Sequence, residues 1–273
     1  MPEKPEVITV VNSLKPRLLG KTIMECNVYW NNIIAYPVTD KFRKEIVNQK
    51  IKDITTRGKF IVIGLDKYNL LIHLRMEGKF FFRKKGDELN KHEHVEFILD
   101  DDISFRFHDV RKFGKMYLID KNNTNMVKPL SELGFEYYDE GLTKEYLYDK
   151  IHKKKLPIKT VLLDQSIIAG IGNIYDDEIL FMSKIDPLRK ACDITISECE
   201  EIIKNTKVVL EKAIKLGGTT IKSFTSSEGV HGLFQNQLLV HSKVGDKCSV
   251  CGNEIKKIKV GGRGTYFCSE CQR

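Results

Sequence analysis

The sequence predicts an α+β protein: an N-terminal helix with an antiparallel β-sandwich, then a C-terminal helical domain that ends in a cysteine-bearing β-hairpin. Three observations carry this. Short β-type runs crowd the stretch from Lys50 to Asp120 with no helical crossover between them. Helical periodicity takes over from about Lys128 to Leu216. Four of the seven cysteines fall within the last 26 residues.

In chain order, Val7, Val10, Val11, Leu14 and Leu18 recur at helical spacing, with Pro5 in the first turn and Glu6 at the positive helix end. Pro16 predicts that this helix stops near Leu14. A second short helix is expected at Thr39–Asn48. The β-type runs are Phe60–Leu65, Asn69–Arg75, Lys79–Arg83, His94–Leu99, Ile103–His108 and Lys115–Ile119, parted by turn residues such as Asp66-Lys67, Gly86-Asp87 and Asp100-Asp101-Asp102. Asn122-Asn123-Thr124-Asn125 reads as a linker. Helices are expected at Lys144–Lys153, Ile158–Leu163, Tyr175–Met182 and Ser197–Lys215. The resulting division is 1–120 for the sandwich, 121–140 for the linker, 141–235 for the helical domain and 236–273 for the finger.

Composition narrows the function classes. Hydrophobic residues at 41% and charged residues at 30% are globular values, which exclude disordered and fibrous classes. Lys and Arg number 45 against 37 for Asp and Glu, a net charge of +8 that points to a polyanion. A membrane surface is disfavoured, because no basic amphipathic helix with an aromatic face is present. No run approaches the roughly 18 apolar residues of a membrane span, and the N-terminus lacks the pattern of a signal peptide. A cytoplasmic address with reduced thiols is therefore expected.

Cys248-x2-Cys251 and Cys268-x2-Cys271, sixteen residues apart, have the spacing of a four-cysteine zinc site. Such a site is closed, so one structural Zn2+ is expected. His231 and His241 read as ordinary polar residues rather than a fifth ligand. The intervening hairpin carries Lys256, Lys257, Lys259 and Arg263, a basic surface suited to phosphate.

The start of the chain holds a possible nucleophile. With Met1 removed, Pro2 is a secondary amine with a pKa of about 8, able to attack an electrophilic carbon and leave an iminium, with Glu3 beside it to move protons. Read alone, Pro2, Glu3 and Glu6 fit an ordinary helix start equally well.

The wider pattern decides between these. Met1-Pro2-Glu3-x-Pro5-Glu6-Val7, Arg57-Gly58-Lys59-Phe60, His73-Leu74-Arg75-Met76-Glu77-Gly78 and Lys91-His92-Glu93-His94-Val95 occur in that order. They are followed by Asp109-Val110-Arg111-Lys112-Phe113-Gly114, Gly170-Ile171-Gly172-Asn173-Ile174-Tyr175, Gly217-Gly218-Thr219-Thr220 and Gly261-Gly262-Arg263-Gly264-Thr265-Tyr266-Phe267-Cys268. With the terminal Cys271-Gln272, this series, running from residue 1 to 272, resembles the bacterial formamidopyrimidine-DNA glycosylases. Lys4, where leucine is usual, and Val110, where proline is usual, depart from the family pattern.

The resemblance implies a base-excision-repair enzyme. It would remove oxidised purines (8-oxoguanine, formamidopyrimidines) and nick the abasic site by β,δ-elimination. By the same resemblance Pro2 is the nucleophile, Glu3 the acid assisting ring opening, Glu6 a supporting carboxylate, Lys59 the proton donor for β-elimination and Arg263 the residue assisting δ-elimination. Met76, Arg111 and Phe113 match side chains that enter the duplex: an apolar wedge fills the hole left by an extruded base, and arginine bonds the orphaned partner. His73, His92, Lys155, Lys159 and Asn173 match DNA contacts, the last two with a helix–two-turn–helix element whose Gly170-x-Gly172-Asn173 turn suits a phosphate cradle. A segment from Thr219 to Gln235 would cover the flipped purine. The expected partner is double-stranded DNA carrying oxidised bases or abasic sites, met by a monomer near the bacterial nucleoid. The rival readings are an endonuclease VIII-like enzyme for oxidised pyrimidines and a non-catalytic zinc-finger DNA-binding protein of the same fold.

Overall fold

A computed structural model of the chain describes residues 1–219 and 232–273. The chain divides into two compact units. The first runs from Met1 to Ser131 and includes Thr219 and Gly232; the second holds Glu132–Gly218 and Leu233–Arg273. The break falls inside the expected linker. Within the second unit, helical residues and the finger share a core.

The first unit opens with helix α1 (Lys4–Leu18), which buries Val7, Val10, Val11, Leu14 and Leu18. It continues past the expected stop at Leu14. Pro16 forfeits a bond to the carbonyl of Asn12, and both residues are exposed to solvent, which lowers the cost of that lost bond. Burial of Leu18 then favours the extra turn. Helix α2 (Thr39–Ile46) ends two residues before its expected limit.

Ten strands follow the pattern β1 (Thr22–Val28), β2 (Ile34–Tyr36), β3 (Gln49–Lys50), β4 (Asp53–Arg57), β5 (Phe60–Gly64), β6 (Tyr68–His73), β7 (Lys79–Lys84), β8 (Glu93–Leu99), β9 (Ile103–His108) and β10 (Lys115–Asp120). They form two five-stranded sheets, ordered β3-β1-β8-β9-β7 and β2-β10-β6-β5-β4. The sheets are not wholly antiparallel, since β2 pairs with β10 in parallel. One core of α1, α2 and the inner faces of both sheets includes Phe42, Ile61, Ile72, Phe97 and Phe107.

The second unit contains α3 (Lys144–Ile151), α4 (Ile158–Leu162), α5 (Asn173–Met182) and α6 (Ile196–Lys215), then a hairpin of β11 (Lys256–Val260) and β12 (Arg263–Phe267). Thr195 and Glu198 form a reciprocal capping box that fixes the start of α6. Leu147, Ile158, Ile171, Ile179 and Leu210 lie in its main core. A much smaller core joins Phe181 of α5 to Val240, Cys248, Ile255 and Cys268. Among the described residues, no helix is long and apolar enough to cross a membrane.

Candidate active site and nucleic-acid interface

In the first unit, Pro2, Glu3 and Glu6 are all buried at the start of α1. Glu6 is the organising group. Its Oε2 accepts the Glu3 N–H at 2.8 Å, and its Oε1 accepts the Thr219 N–H at 2.8 Å and hydroxyl at 3.2 Å. One carboxylate therefore fixes both the backbone beside Pro2 and Thr219. Residues 220–231, which hold most of the expected purine-covering segment and His231, lie outside the described residues. Lys4, where the sequence departs from the family pattern, is buried with its ammonium 2.8 Å from Thr56 Oγ1. That bond pins the first turn of α1 to the β4–β5 hairpin.

Lys59 occupies the two-residue turn of this hairpin, between the paired Arg57 and Phe60, with Gly58 at φ 54° supplying the left-handed position. Lys59 is buried, and its charge bears on His73, which pairs with Phe60. Burial foremost, then Arg75 and Lys59, depress the His73 imidazole to about 3. Its Nδ1 accepts the Arg75 N–H at 3.0 Å, so the neutral ring presents Nε2–H as a donor. Met76 is partly exposed in the following loop.

The Arg111–Phe113 loop is the most clearly built feature of this unit. Asp109 is fully buried, and its carboxylate accepts three backbone N–H groups: Arg111 at 3.0 Å, Phe113 at 2.8 Å and Gly114 at 2.7 Å. Its own carbonyl oxygen lies 2.8 Å from His94 Nε2. Phe113 is left 49% exposed, with the Arg111 guanidinium 4.8 Å from the centre of its ring. Gly114, which follows Phe113, is not exposed. It is buried against Phe107, whose ring would lie 2.5 Å from any Cβ there. His92 stands at the end of a loop whose Asp87 and Glu88 carbonyls are held by the buried Arg106, itself paired with Glu93 and Glu96. Sequence reasoning missed Asp109 and Arg106 as supports. Asp109 was visible only as the first residue of a motif, since the fan of amides it collects depends on the loop's path.

In the second unit, Gly172 caps α5, and Asn173 takes its first position. Asn173 is not a helix cap: its Nδ2 donates to the Gly264 carbonyl at 2.9 Å, tying the glycine turn to the residue after Arg263. Arg263 itself is exposed at the start of β12, beside the Gly261–Gly262 turn. Both glycines have positive φ, and a Cβ on Gly261 would come within 2.6 Å of Thr160 Oγ1 on α4. Lys155 is exposed between α3 and α4.

Lys159 corrects the expectation. It was assigned to a DNA phosphate, yet it is fully buried, with Nζ 2.6 Å from Asp177 Oδ1, 3.0 Å from the Asn173 carbonyl and 3.6 Å from Asp176 Oδ2. It neutralises carboxylates inside the unit and holds Asn173 in place. Asp177 also meets His241 Nδ1 at 2.6 Å, while Glu178 accepts the N–H groups of Leu239, Val240 and His241. This cluster is why helix and finger form one unit. Lys159→Ala is expected to lower stability by about 3–5 kcal/mol, because it strands buried carboxylates. A thermal midpoint within a degree of the parent would refute that.

The four cysteine sulfurs lie within 4.8 Å of one another, the only such metal-ligand group among the described residues. Cys248 and Cys271 Sγ are 3.8 Å apart, and Cys251 and Cys268 Sγ 3.4 Å. Thiolates about 2.3 Å from a tetrahedral Zn2+ stand close to 3.8 Å apart, whereas a disulfide needs about 2.05 Å. The donor set fits one zinc ion and leaves no open coordination position.

A sandwich unit with a buried carboxylate-bound start, together with a helical unit closed by a cysteine hairpin, defines the class of helix–two-turn–helix proteins with a zinc finger. Three family descriptions match along the chain: the formamidopyrimidine-DNA glycosylase N-terminal domain at residues 1–116, its H2TH domain at 133–225, and a zinc finger found in FPG and IleRS at 245–273. The chain belongs to the formamidopyrimidine-DNA glycosylase family. It is 42% identical to the Oceanobacillus iheyensis formamidopyrimidine-DNA glycosylase, over 100% of this chain and 98% of that one. It is 41% identical to the Halalkalibacterium halodurans protein of that name, over 100% of both. Among solved structures, a Lactococcus lactis variant bound to Fapy-dG-containing DNA is similar over all of both chains, with a TM-score of 0.92 and 36% identity. The Lactococcus lactis protein with abasic-site DNA gives 0.91 over 99% of both, also at 36% identity.

Proposed function

We propose that this chain extrudes an oxidised purine from duplex DNA, cleaves its glycosidic bond through the Pro2 amine and then nicks the abasic strand. Its membership of the family makes it a bifunctional DNA glycosylase and abasic-site lyase of base-excision repair. The relatives bound to Fapy-dG and abasic-site DNA favour oxidised purines over pyrimidines. The observation that carries the base-extrusion step is the half-exposed Phe113 beside Arg111, on a loop fixed by three amide bonds to one buried carboxylate. A rigid, exposed aromatic edge is suited to fill the gap left by a departing base.

In this reading the Pro2 nitrogen bonds to C1′ as the base leaves. Glu3 supplies a proton for ring opening, Glu6 keeps Glu3 in place, and Lys59 serves the β-elimination. Arg263, Lys155 and Asn173 bind the backbone, with Arg263 assisting δ-elimination. Zinc holds the hairpin and takes no part in the chemistry. The enzyme acts as a monomer in the bacterial cytoplasm, at the nucleoid.

The test is a labelled duplex series carrying 8-oxoguanine, a formamidopyrimidine, thymine glycol or an abasic site, with borohydride trapping. Purine lesions and the abasic site should be cleaved and trapped. Preference for thymine glycol would favour the pyrimidine reading, and absence of any adduct would leave a mere binder. Phe113→Ala should lower excision from duplex by on the order of tenfold to a hundredfold, the worth of a base–aromatic stack, while sparing cleavage of a preformed abasic site. Equal losses on both substrates would reduce Phe113 to a folding role.

A further inference from the structure

We propose that Trp30 is a positioning residue for the wedge loop, acting through the ammonium of Lys112; this rests on the reading of Arg111 and Phe113 as the wedge. Lys112 lies between those two residues. Its backbone is left-handed, with φ 58°, an unfavourable conformation for a side chain of this size. A strained tip persists only where its surroundings hold it. Asp109 holds it from beneath through the flanking amides, and Lys112 N–H reaches the Asp109 carbonyl at 3.2 Å.

A second support comes from the side. Lys112 Nζ stands 4.0 Å from the centre of the Trp30 ring, within cation–π range. The residues around Trp30 are themselves anchored. Tyr29 N–H bonds the His94 carbonyl at 2.8 Å, and the ring of the same histidine reaches the Asp109 carbonyl. Beyond the loop, Lys115 Nζ donates to the Asn32 carbonyl. The wedge loop is thus tied to the Trp30–Asn32 turn at its tip, through Lys112, and just beyond its end, through Lys115. Trp30 is 37% exposed and belongs to no other core or site described above, so the contact explains why a large aromatic ring stands there.

Trp30 is the chain's single tryptophan, so emission excited selectively from tryptophan reports the surroundings of this ring alone. In the free full-length protein, Lys112→Met should shift the emission and raise quenching by acrylamide, whereas Lys112→Arg should keep both near the parent values. Trp30→Leu should lower single-turnover excision of 8-oxoguanine from duplex about two- to fivefold, the equivalent of one exposed cation–π contact. Cleavage of a preformed abasic site should stay unchanged. Trp30→Phe should restore most of the loss, and adding Lys112→Met to Trp30→Leu should cost nothing more. Unaltered emission in Lys112→Met, additive losses in the double variant, or Trp30→Leu that slows both substrates equally would overturn the proposal. So would a Lys112→Met defect that appears only as a shallower salt dependence of binding, because Lys112 would then be a phosphate ligand. Phe113→Ala measured in parallel separates the two readings. If it loses its selectivity for excision, the wedge reading itself fails; if it keeps that selectivity while Trp30→Leu has none, only the Trp30 role fails.

Discussion

Protein that retains Met1 is expected to give no borohydride-trapped adduct and to lose excision by on the order of 10³-fold or more, the scale seen when a covalent nucleophile is removed. With Met1 attached, the Pro2 nitrogen is a tertiary amide whose lone pair is delocalised into the carbonyl, so it cannot form an iminium. With Met1 gone, the same atom is a secondary amine with a pKa of about 8, and a useful fraction is uncharged at neutral pH. In the structure Pro2 is buried, Glu3 follows it, and Glu6 fixes the Glu3 backbone at 2.8 Å. Mass spectrometry of active protein should show the loss of one methionine, and peptide mapping after trapping should place the sugar on Pro2. A sugar found on Lys59, or full activity with Met1 in place, would end the assignment. Glu3→Gln should slow excision by about 10²- to 10⁴-fold, the range for a general acid.

Removal of zinc should unfold the finger. Comparable small modules draw about 10–16 kcal/mol of apparent folding free energy from the ion. The apolar alternative here is slight, since the finger's core is Val240, Ile255 and two of the cysteines themselves, packed on Phe181. Without thiolate–metal bonds, β11 and β12 have too little buried surface to remain paired. Loss of the hairpin also breaks the bond from Asn173 to Gly264 and frees Arg263, so DNA affinity should fall together with zinc content. A chelator titration followed by metal analysis, circular dichroism and DNA binding checks this, and helical signal from α3 to α6 should persist. Cys248→Ser that still binds one zinc per chain with unchanged DNA affinity would count against the site.

The finger was legible in the sequence because its chemistry is local: two Cys-x2-Cys pairs declare their ligand set before any fold is known, and the sulfurs duly converge. The same holds for helix α6, whose capping box and periodicity lie within one stretch of chain. Strand β1 was missed because a bulge between Ile23 and Glu25 breaks its alternation, and β2 because three residues carry too little pattern. The resemblance implied a DNA phosphate as the partner of Lys159, whereas in the structure its ammonium is buried among carboxylates. Nothing near it in sequence shows that Asp176 and Asp177, a turn into another helix, close on it at 3.6 and 2.6 Å.

By itself, then, the sequence determined this protein's family, its order of domains, its metal ligands and its candidate nucleophile, since each is written in residue types at short spacing. Only the tertiary structure decided which charges are exposed to solvent and which neutralise one another inside. It alone showed that Asp109 gathers three amides beneath the Arg111–Phe113 loop, and that Trp30 meets Lys112. The physical reason is that a buried charge or a strained loop is stable only with partners at particular distances, and folding draws those partners from parts of the chain that sequence spacing does not connect.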